Sequence, residues 1–461
     1  MQTTAHSAVA TGRICDGRRP PVHSRVIIRV RTVVTMDEPP IENGAVVVSG
    51  NQIDDSPSGS SPSRAARLCR AAPAGSVVDV GKFSEIKARN AGEIVDLGEQ
   101  ALLPGLINAH CHLDYTCLRG KIPPPKTFAD WIRAINAEKA RLSPKDYLAS
   151  INEGFAQAKG FGTTTVANLT AFPDLISQVH ATIRTWWFAE LIDVRAPKHA
   201  NDIVDLAIDS LKSAPNWGLA PHALFTASKN LFGCCEEIAR RENVLLTTHL
   251  AESRDEMEMF RDASGLLYEF LKGIGRPIDD CGNETPLERF LDLIRRGDSP
   301  NRPQAIEVNR PYLPWIVAHL NELTESDFEL LQNAKGQFHV VHCPRSHEYF
   351  KHNQFPFQRL DSLGFNICLG TDSLASNENL SLLAEMRAFQ RSEPGISPAE
   401  ILKMVTVNPA MALHQEKMIG RIRPGLCADL IAIPCGRGPN LFEEIVGFGR
   451  EVDWVMVNGK M

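Results

Sequence analysis

Short apolar segments alternate with longer helical patterns over most of the chain, and this alternation limits the possible folds more than any other feature. Eight such segments occur between about residue 101 and residue 413. Repeated strand–helix units are typical of parallel sheets, and eight of them predict an α/β protein with a closed (β/α)8 TIM barrel. The predicted strands are residues 101–106, 162–167, 184–192, 218–222, 244–249, 315–319, 338–342 and 366–372.

Polar side chains stand at or just after the carboxyl ends of most of these predicted strands. At a single strand end, a histidine is more often a buried structural residue than a functional one. A barrel, however, gathers all of its strand ends at one face, where the active sites of this fold lie. The residues concerned are His110, His112, His222, His249, Glu252, His319, His342 and Asp372.

His110 and His112 follow the first apolar segment and are two positions apart. Side chains at positions i and i+2 of a strand point to the same side, so both imidazoles are expected to leave the strand in one direction and Cys111 in the other. Two imidazoles directed together provide half of a transition-metal site. For an isolated His-x-His pair, two hydrogen-bonded structural histidines are the alternative interpretation.

Short β-branched segments flank the predicted barrel on both sides. We predict that the two ends of the chain, residues 1–99 and 417–461, together form a small β-sandwich domain, and that residues 100–416 form the barrel. Residues 54–76 are rich in Ser, Pro, Ala and Arg without periodicity, which predicts a disordered or looped insertion. The predicted flanking strands are residues 26–36, 44–48, 77–80, 94–97, 428–433 and 452–458.

Composition excludes several classes of partner. The net charge of -6 provides no basic stripe for nucleic acid, and no run approaches the roughly 18 apolar residues of a membrane helix. The first 19 residues contain no apolar signal segment. Eleven cysteines without a Cys-x-x-Cys motif indicate reduced thiols. We therefore expect a cytoplasmic protein that acts on a small molecule, without nucleic-acid or membrane partners, and we leave a homo-oligomer open.

An ordered set of short motifs carries the chemistry. They are His110-x-His112, Thr248-His249-Leu-Ala-Glu252, the strand ending at His319, Cys343-Pro-Arg-Ser346, Gly370-Thr-Asp372-Ser and Gly425-x-x-Ala428-Asp429-Leu430. Together they resemble the amidohydrolase superfamily, in the branch of triazine hydrolases, guanine deaminases and S-adenosylhomocysteine deaminases. The resemblance covers most of the chain and implies a metal-dependent hydrolase barrel with a flanking β domain.

By this resemblance, His110, His112, His249 and Asp372 bind one divalent metal ion, Zn²⁺ or Fe²⁺. Three imidazoles and one carboxylate suit such an ion. The ion would acidify a coordinated water toward neutrality. Taken alone, Asp372 is equally compatible with a cap of the following helix.

The resemblance also implies roles for residues around that water. Glu252 would transfer a proton to the ring nitrogen beside the attacked carbon. His319 would orient the water or stabilise the tetrahedral centre, and Asp372 would also accept a proton from the water. Taken alone, Glu252 is equally compatible with a solvated first-turn helix residue, and His319 with a core histidine.

Four further residues are candidate substrate contacts. His222 resembles a substrate-contacting histidine of the branch, and Trp131 an aromatic residue that stacks on the substrate, with a helix core position as its alternative. Arg345 and His347 lie in Cys343-Pro-Arg-Ser-His347, where many relatives carry Asn in place of His347. A basic group there would suit a carboxylate or a ribosyl hydroxyl.

These features favour an aminohydrolase that deaminates an amino-substituted N-heterocycle. An adenosine-type nucleoside is the preferred substrate, namely S-adenosylhomocysteine, methylthioadenosine or aminodeoxyfutalosine. The alternative within enzymes is a chlorohydrolase or N-alkylaminohydrolase acting on a triazine-like ring, because the same activated water serves both reactions. A catalytically inactive assembly protein is a third interpretation, although such proteins normally lose metal ligands and here all four positions are filled.

Overall fold

The computed structural model describes residues 25–49, 75–296 and 314–461. The predicted insertion at residues 54–76 lies outside these described residues except for its last two positions. The strands are β1 (Arg25–Arg29), β2 (Thr32–Val33), β3 (Ile41–Glu42), β4 (Gly44–Ser49), β5 (Val77–Lys82), β6 (Glu93–Asp96), β7 (Gln100–Pro104), β8 (Leu106–His112), β9 (Thr163–Thr170), β10 (Arg184–Leu191), β11 (Trp217–Pro221), β12 (Leu245–Leu250), β13 (Trp315–His319), β14 (Phe338–His342), β15 (Ile367–Leu369), β16 (Asp372–Ser373), β17 (Leu430–Pro434) and β18 (Trp454–Met456).

The helices lie mainly between the strands of the central part of the chain. They are α1 (Phe83–Arg89), α2 (Phe128–Lys139), α3 (Pro144–Gly160), α4 (Ala200–Leu211), α5 (Lys229–Glu242), α6 (Arg254–Asp262), α7 (Gly265–Gly273), α8 (Pro286–Arg296), α9 (Glu325–Leu331), α10 (Pro344–Phe350), α11 (Phe357–Ser362), α12 (Leu382–Ser392), α13 (Pro398–Lys403), α14 (Val407–Ala412) and α15 (Leu441–Gly447). None of the helices within the described ranges combines the length and apolar character needed to cross a bilayer.

A parallel sheet organises the described residues, in the order β15-β14-β13-β12-β11-β10-β9-β8-β16. Its edge strands β15 and β16 are separated in the chain only by Gly370 and Thr371. The N–H of Gly370 donates to the carbonyl of His342 in β14, and the N–H of Thr371 donates to the carbonyl of His110 in β8. The sheet therefore curls until its edges meet, as in a TIM-like barrel, and the prediction of a parallel α/β fold is confirmed.

Side chains alternate between two apolar layers of this sheet. In β10, Trp186 and Phe188 belong to one buried cluster, whereas Trp187 and Ala189 belong to a second, larger cluster with residues of α3, α4 and α5. The first cluster therefore fills the interior of the curled sheet, and the second lies between the sheet and the surrounding helices. Glu190 continues the alternation of Trp186 and Phe188 and so faces the interior.

The prediction that residues 101–106 form the first barrel strand is wrong. β7 pairs with β17 and β2 in a separate sheet, and the barrel strand is β8, which pairs with β9 and β16. β7 and β8 are both apolar and only Gly105 separates them, so hydrophobicity does not reveal that the chain changes sheets here. As a consequence, His110 and His112 lie within the barrel strand and not after its end.

Strands from both ends of the described chain form two further sheets, ordered β5-β4-β1-β6 and β18-β17-β7-β2-β3. They share one apolar core. Val46 and Val48 of the first sheet are buried in the same cluster as Leu102, Leu430 and Met456 of the second. β17 and β18, from the end of the chain, therefore lie in one sheet with β2, β3 and β7.

Local capping signals define several helix starts. The Thr127 side chain accepts a hydrogen bond from the N–H of Asp130 at the start of α2. Ser397 caps α13 in the same way through Glu400, with Pro398 in the first turn. These caps set where α13 and α2, the helix that carries Trp131, begin.

A helical excursion follows β12, and the structure describes it as α6, α7 and α8 up to residue 296. The buried guanidinium of Arg276 fastens it to the loop after β11. This guanidinium donates to the carbonyls of Leu224 and Phe225 and pairs with Asp280. The excursion is thereby held against the barrel face that carries the strand ends.

We predict that Gly105→Ala lowers the free energy of unfolding by about 1–3 kcal/mol, the usual cost of overpacking. A Cβ at this position would lie 2.2 Å from both Oγ1 and Cγ2 of Thr164. Chemical denaturation should reveal the loss. The matched control is Gly233→Ala in α5, where an added Cβ meets nothing within 4 Å and should not destabilise the protein. If Gly105→Ala were as stable as the wild type, this would contradict close packing of Gly105 against Thr164 where the chain passes from β7 to β8.

Candidate metal and active site

Three imidazoles and one carboxylate meet where the parallel strands end. The Nε2 atoms of His112 and His249 are 3.2 Å apart. Oδ1 of Asp372 lies 3.9 Å from Nε2 of His110 and 3.8 Å from Nε2 of His112. All four side chains are buried. The four candidate metal ligands predicted from the sequence are therefore close together.

Two features of the sheet produce this arrangement. The register between β8 and β9 shifts between Asn108 and Cys111, so that both Ala109 and His110 face the interior. After that shift the strand alternates normally, and His112 follows His110 inward while Cys111 packs in the outer cluster. Asp372 pairs with Cys111 across the closing seam of the sheet, which brings its carboxylate between the two imidazoles.

The protonation of these imidazoles suits a metal ion. Nδ1 of His249 donates to the carbonyl of His222 at 2.8 Å, which leaves its Nε2 lone pair directed at His112. Both ring nitrogens of His110 are buried without a hydrogen-bond partner. Burial, aided by nearby His249, lowers the pKa of His110 to about 3, so its imidazole is neutral. A neutral imidazole offers one unprotonated nitrogen, and several such nitrogens that converge on one point fit a divalent cation.

Hydroxyl and backbone donors hold the Asp372 carboxylate. The hydroxyl of Ser346 donates to Oδ2 at 2.7 Å, and the N–H of Ser373 donates to Oδ1 at 2.7 Å. Burial opposes ionisation of Asp372, but His319, His110 and the Ser346 hydroxyl outweigh it and lower the pKa of this carboxyl. Asp372 is therefore an oriented carboxylate, and its φ of 55° turns the chain at that point.

Glu252 and His319 form a second group beside the first. Oε1 of Glu252 lies 3.8 Å from Nε2 of His319, and that nitrogen is buried without a hydrogen-bond partner. Burial, with the charges of Asp372 and Glu256, raises the pKa of Glu252 well above its ordinary value. The backbone of His319 has a φ of 75°, a strained conformation that is frequent at functional sites. A carboxyl group with a raised pKa is suited to donate a proton near neutral pH.

A cavity opens onto both groups, and two of the predicted substrate residues line it. Trp131 lies on the α2 wall, packed against Phe128. His222 lies on the β11 side, with its Nε2 3.4 Å from Oε1 of Glu190. Aromatic side chains with a few polar groups around one cavity are typical of a site for a planar heterocycle.

The other two predicted substrate residues do not line this cavity. Arg345 donates to Asn379 and pairs with Glu378 at 2.8 Å. Nδ1 of His347 donates to the Asn321 side chain at 3.2 Å, and the Asn321 amide donates to the Glu252 carbonyl at 3.0 Å. His347 therefore contacts the site only indirectly, through Asn321, which binds the backbone of Glu252.

Sequence reasoning missed several residues of the site. Glu190 and Lys139 both line the cavity, and Ser346 and Asn321 support its charged groups. Only Glu190 carried a detectable signal, because a carboxylate within the apolar run Trp186–Leu191 is unusual unless it is paired or functional. Lys139 is the last residue of α2, where a basic residue is ordinary.

Several known proteins are similar to this chain in sequence or in fold. A 5-methylthioadenosine/S-adenosylhomocysteine deaminase of Pyrococcus furiosus is 28% identical over 411 residues, which span 84% of this chain and 88% of that protein. The structure of the aminofutalosine deaminase of Helicobacter pylori in complex with methylthio-coformycin has a TM-score of 0.76 at 18% identity, covering 94% and 99% of the two chains.

A zinc-bound structure also shares the fold. Atrazine chlorohydrolase from Arthrobacter aurescens TC1, complexed with zinc, has a TM-score of 0.71 at 18% identity and covers 94% of each chain. Residues 101–461 match the family described as the Amidohydrolase family. Because that match covers well over half of the sequence, the chain belongs to the amidohydrolase family.

Proposed function

We propose that this protein is a metal-dependent aminohydrolase that deaminates an adenosine-type nucleoside and releases ammonia. The observation that carries the proposal is the convergence of His110, His112, His249 and Asp372 beside the carboxyl group of Glu252, whose Oε1 lies 3.8 Å from Nε2 of His319. S-adenosylhomocysteine, methylthioadenosine and aminodeoxyfutalosine are the candidate substrates. The deaminase of Pyrococcus furiosus, with its 28% identity, supports the choice of a nucleoside.

His110, His112, His249 and Asp372 would hold one divalent ion, and we propose Zn²⁺, with Fe²⁺ as the alternative. When bound there, such an ion supplies a water acidified to near neutrality as the nucleophile. The neutral state of His110, the free Nε2 of His249 and the oriented carboxylate of Asp372 support this assignment. The zinc of the structurally similar atrazine chlorohydrolase supports the choice of metal.

The chain's own residues would carry the protons. Glu252, whose raised pKa favours the protonated form, would donate its proton to the ring nitrogen beside the attacked carbon. Asp372 would accept the proton of the attacking water, and the unpartnered Nε2 of His319 would stabilise the oxygen as the carbon becomes tetrahedral. Asp372 would then give its proton to the amino group, which leaves as ammonia when the carbon–nitrogen bond breaks, and the hydroxyl of the tetrahedral carbon would return a proton to Glu252 as the carbonyl forms. Trp131 would stack on the heterocycle, and His222 would contact it from the opposite wall.

A chlorohydrolase or N-alkylaminohydrolase acting on a triazine-like ring is the second candidate function. The similarity of the fold to that of atrazine chlorohydrolase favours it, although at 18% identity that similarity concerns the fold alone. The same nucleophile would serve both reactions, and only the leaving group differs. An inactive assembly protein is disfavoured, because His110, His112 and His249 converge and the Asp372 carboxylate lies within 4 Å of two of them.

Three further proposals concern the whole chain. We propose that the sheets built from its two ends form a β-sandwich domain, since they share one apolar core. We propose that residues 1–99 and 417–461 belong mainly to that domain and residues 100–416 mainly to the barrel. The chain would pass from the first part to the second at Gly105. A cytoplasmic location is proposed because the cysteines of the described ranges are free.

We predict that the purified protein releases ammonia from at least one adenosine-type nucleoside and no chloride from chlorotriazines. A coupled ammonia assay over a nucleoside panel measures this. His249→Ala should abolish the release, because it removes a proposed ligand. Chloride release without ammonia would favour the triazine alternative, and full activity of His249→Ala would exclude the proposed site.

For Glu252→Gln we predict a fall in kcat of about two to four orders of magnitude, the usual contribution of a positioned proton donor. Metal content should stay at the wild-type level, since Glu252 is not a proposed ligand. The matched control is Glu269→Gln on the exposed face of α7, which should keep the wild-type kcat. A kcat of Glu252→Gln within a factor of three of the wild type would remove Glu252 from the mechanism.

We predict that removal of metal by a chelator lowers the midpoint of thermal unfolding by about 5 °C or more, because an ion bound only by the folded state stabilises it by mass action. Added Zn²⁺ should restore the midpoint. In Asp372→Asn, which loses the proposed carboxylate ligand, the chelator should have little effect. A wild-type midpoint that is the same before and after chelation would contradict a resident ion.

A further inference from the structure

The α2 wall of the cavity presents a cation that the proposed chemistry does not use. Lys139 lines the cavity with Trp131, Ile135 and Asn136 of the same helix. Its Nζ lies 4.7 Å from the centroid of the Tyr115 ring, which also lines the cavity. Packing against an aromatic face restrains the ammonium group and reduces its access to water.

Nearby basic residues are paired, whereas Lys139 is not. Arg133 bonds to Asp130 at 3.1 Å, Arg141 bonds to Glu138 at 2.6 Å, and Arg119 bonds to Glu153 at 3.1 Å. Within the described ranges, the Lys139 ammonium takes part in no comparable ion pair or hydrogen bond. A helix-end lysine is ordinary, but one held half-buried in a cavity without a counter-charge retains its capacity to bind an anion.

The acidic groups near Lys139 have other partners. Oδ2 of Asp114 accepts hydrogen bonds from the Thr170 hydroxyl and the Ala171 N–H. Oε1 of Glu190 lies 3.4 Å from Nε2 of His222. Within the described ranges, the Lys139 ammonium therefore lines the cavity without a paired carboxylate.

We propose that Lys139 is a specificity-determining residue that binds a carboxylate on the substituent of the substrate, so that anionic nucleosides are preferred over neutral ones. The inference rests on the proposed deaminase function and narrows its substrate class. The metal cluster, Glu252 and Trp131 would hold the heterocycle, and Lys139, about two turns further along α2, would meet the remainder of the nucleoside. The basic group predicted at Arg345, which instead pairs with Glu378, is replaced in this role by Lys139.

A pair of substrates matched in shape but not in charge tests the proposal. The probes are 5′-S-(2-carboxyethyl)-5′-thioadenosine and its carboxamide, which have nearly the same shape and differ in charge. We expect the wild type to prefer the carboxylate by about tenfold or more in kcat/KM, mostly through KM, as one charge-assisted hydrogen bond allows. The preference should shrink as ionic strength rises.

Variants assign the preference to Lys139. In Lys139→Met the ratio should fall to about one, and in Lys139→Arg it should stay well above one. Since the ratio is measured within each variant, a general loss of activity cancels. The control Lys145→Met removes an exposed charge of α3 and should keep the wild-type ratio. A wild-type ratio near one, or an unchanged ratio in Lys139→Met, would overturn the proposal.

A failure of the proposed deaminase function can be distinguished from a failure of the Lys139 proposal. If neither probe nor methylthioadenosine releases ammonia, the deaminase proposal fails. Calorimetric affinities of the same two probes then test Lys139 without turnover. Tighter binding of the carboxylate, lost in Lys139→Met and kept in Lys139→Arg, supports the anion site, and equal affinities of the two probes would exclude it.

Discussion

The site depends on the pairing of β16 with β8, which closes the parallel sheet. This pairing sets Asp372 opposite Cys111, between two inward-facing imidazoles that are more than 250 positions away in the chain. Without it, a buried carboxylate would stand alone at high energetic cost. With it, the carboxylate accepts hydrogen bonds from a serine hydroxyl and a backbone N–H and lies within 4 Å of two imidazoles. The pairing that closes the sheet thus also assembles the site.

Hydrogen bonds from surrounding residues fix the tautomer or the orientation of His249, Asp372 and Glu252. The His222 carbonyl selects the tautomer of His249, Ser346 orients Asp372, and Asn321 holds the backbone of Glu252. These partners come from different strands and loops, so the geometry is held from several sides. Such preorganisation suits a reaction in which a nucleophile and a proton donor must act on one planar ring.

Much of this could be predicted from sequence, and the failures have physical reasons. Apolar periodicity and the polar residues at strand ends reveal His249, His319 and Asp372, because those signals are local. The passage from β7 to β8 could not be predicted, since both strands are apolar and Gly105 alone marks the change of sheet. The roles of Arg345 and Lys139 depend on whether a counter-charge lies nearby in space, which spacing along the chain does not encode.

The most direct test of the central claim is a crystal structure of the metal-loaded protein with anomalous diffraction at the zinc edge. We predict one peak per chain at coordination distance, about 2.0–2.2 Å, from nitrogens of His110, His112 and His249 and from the Asp372 carboxylate. A fully loaded protein whose only peak lies away from these four side chains would contradict the account.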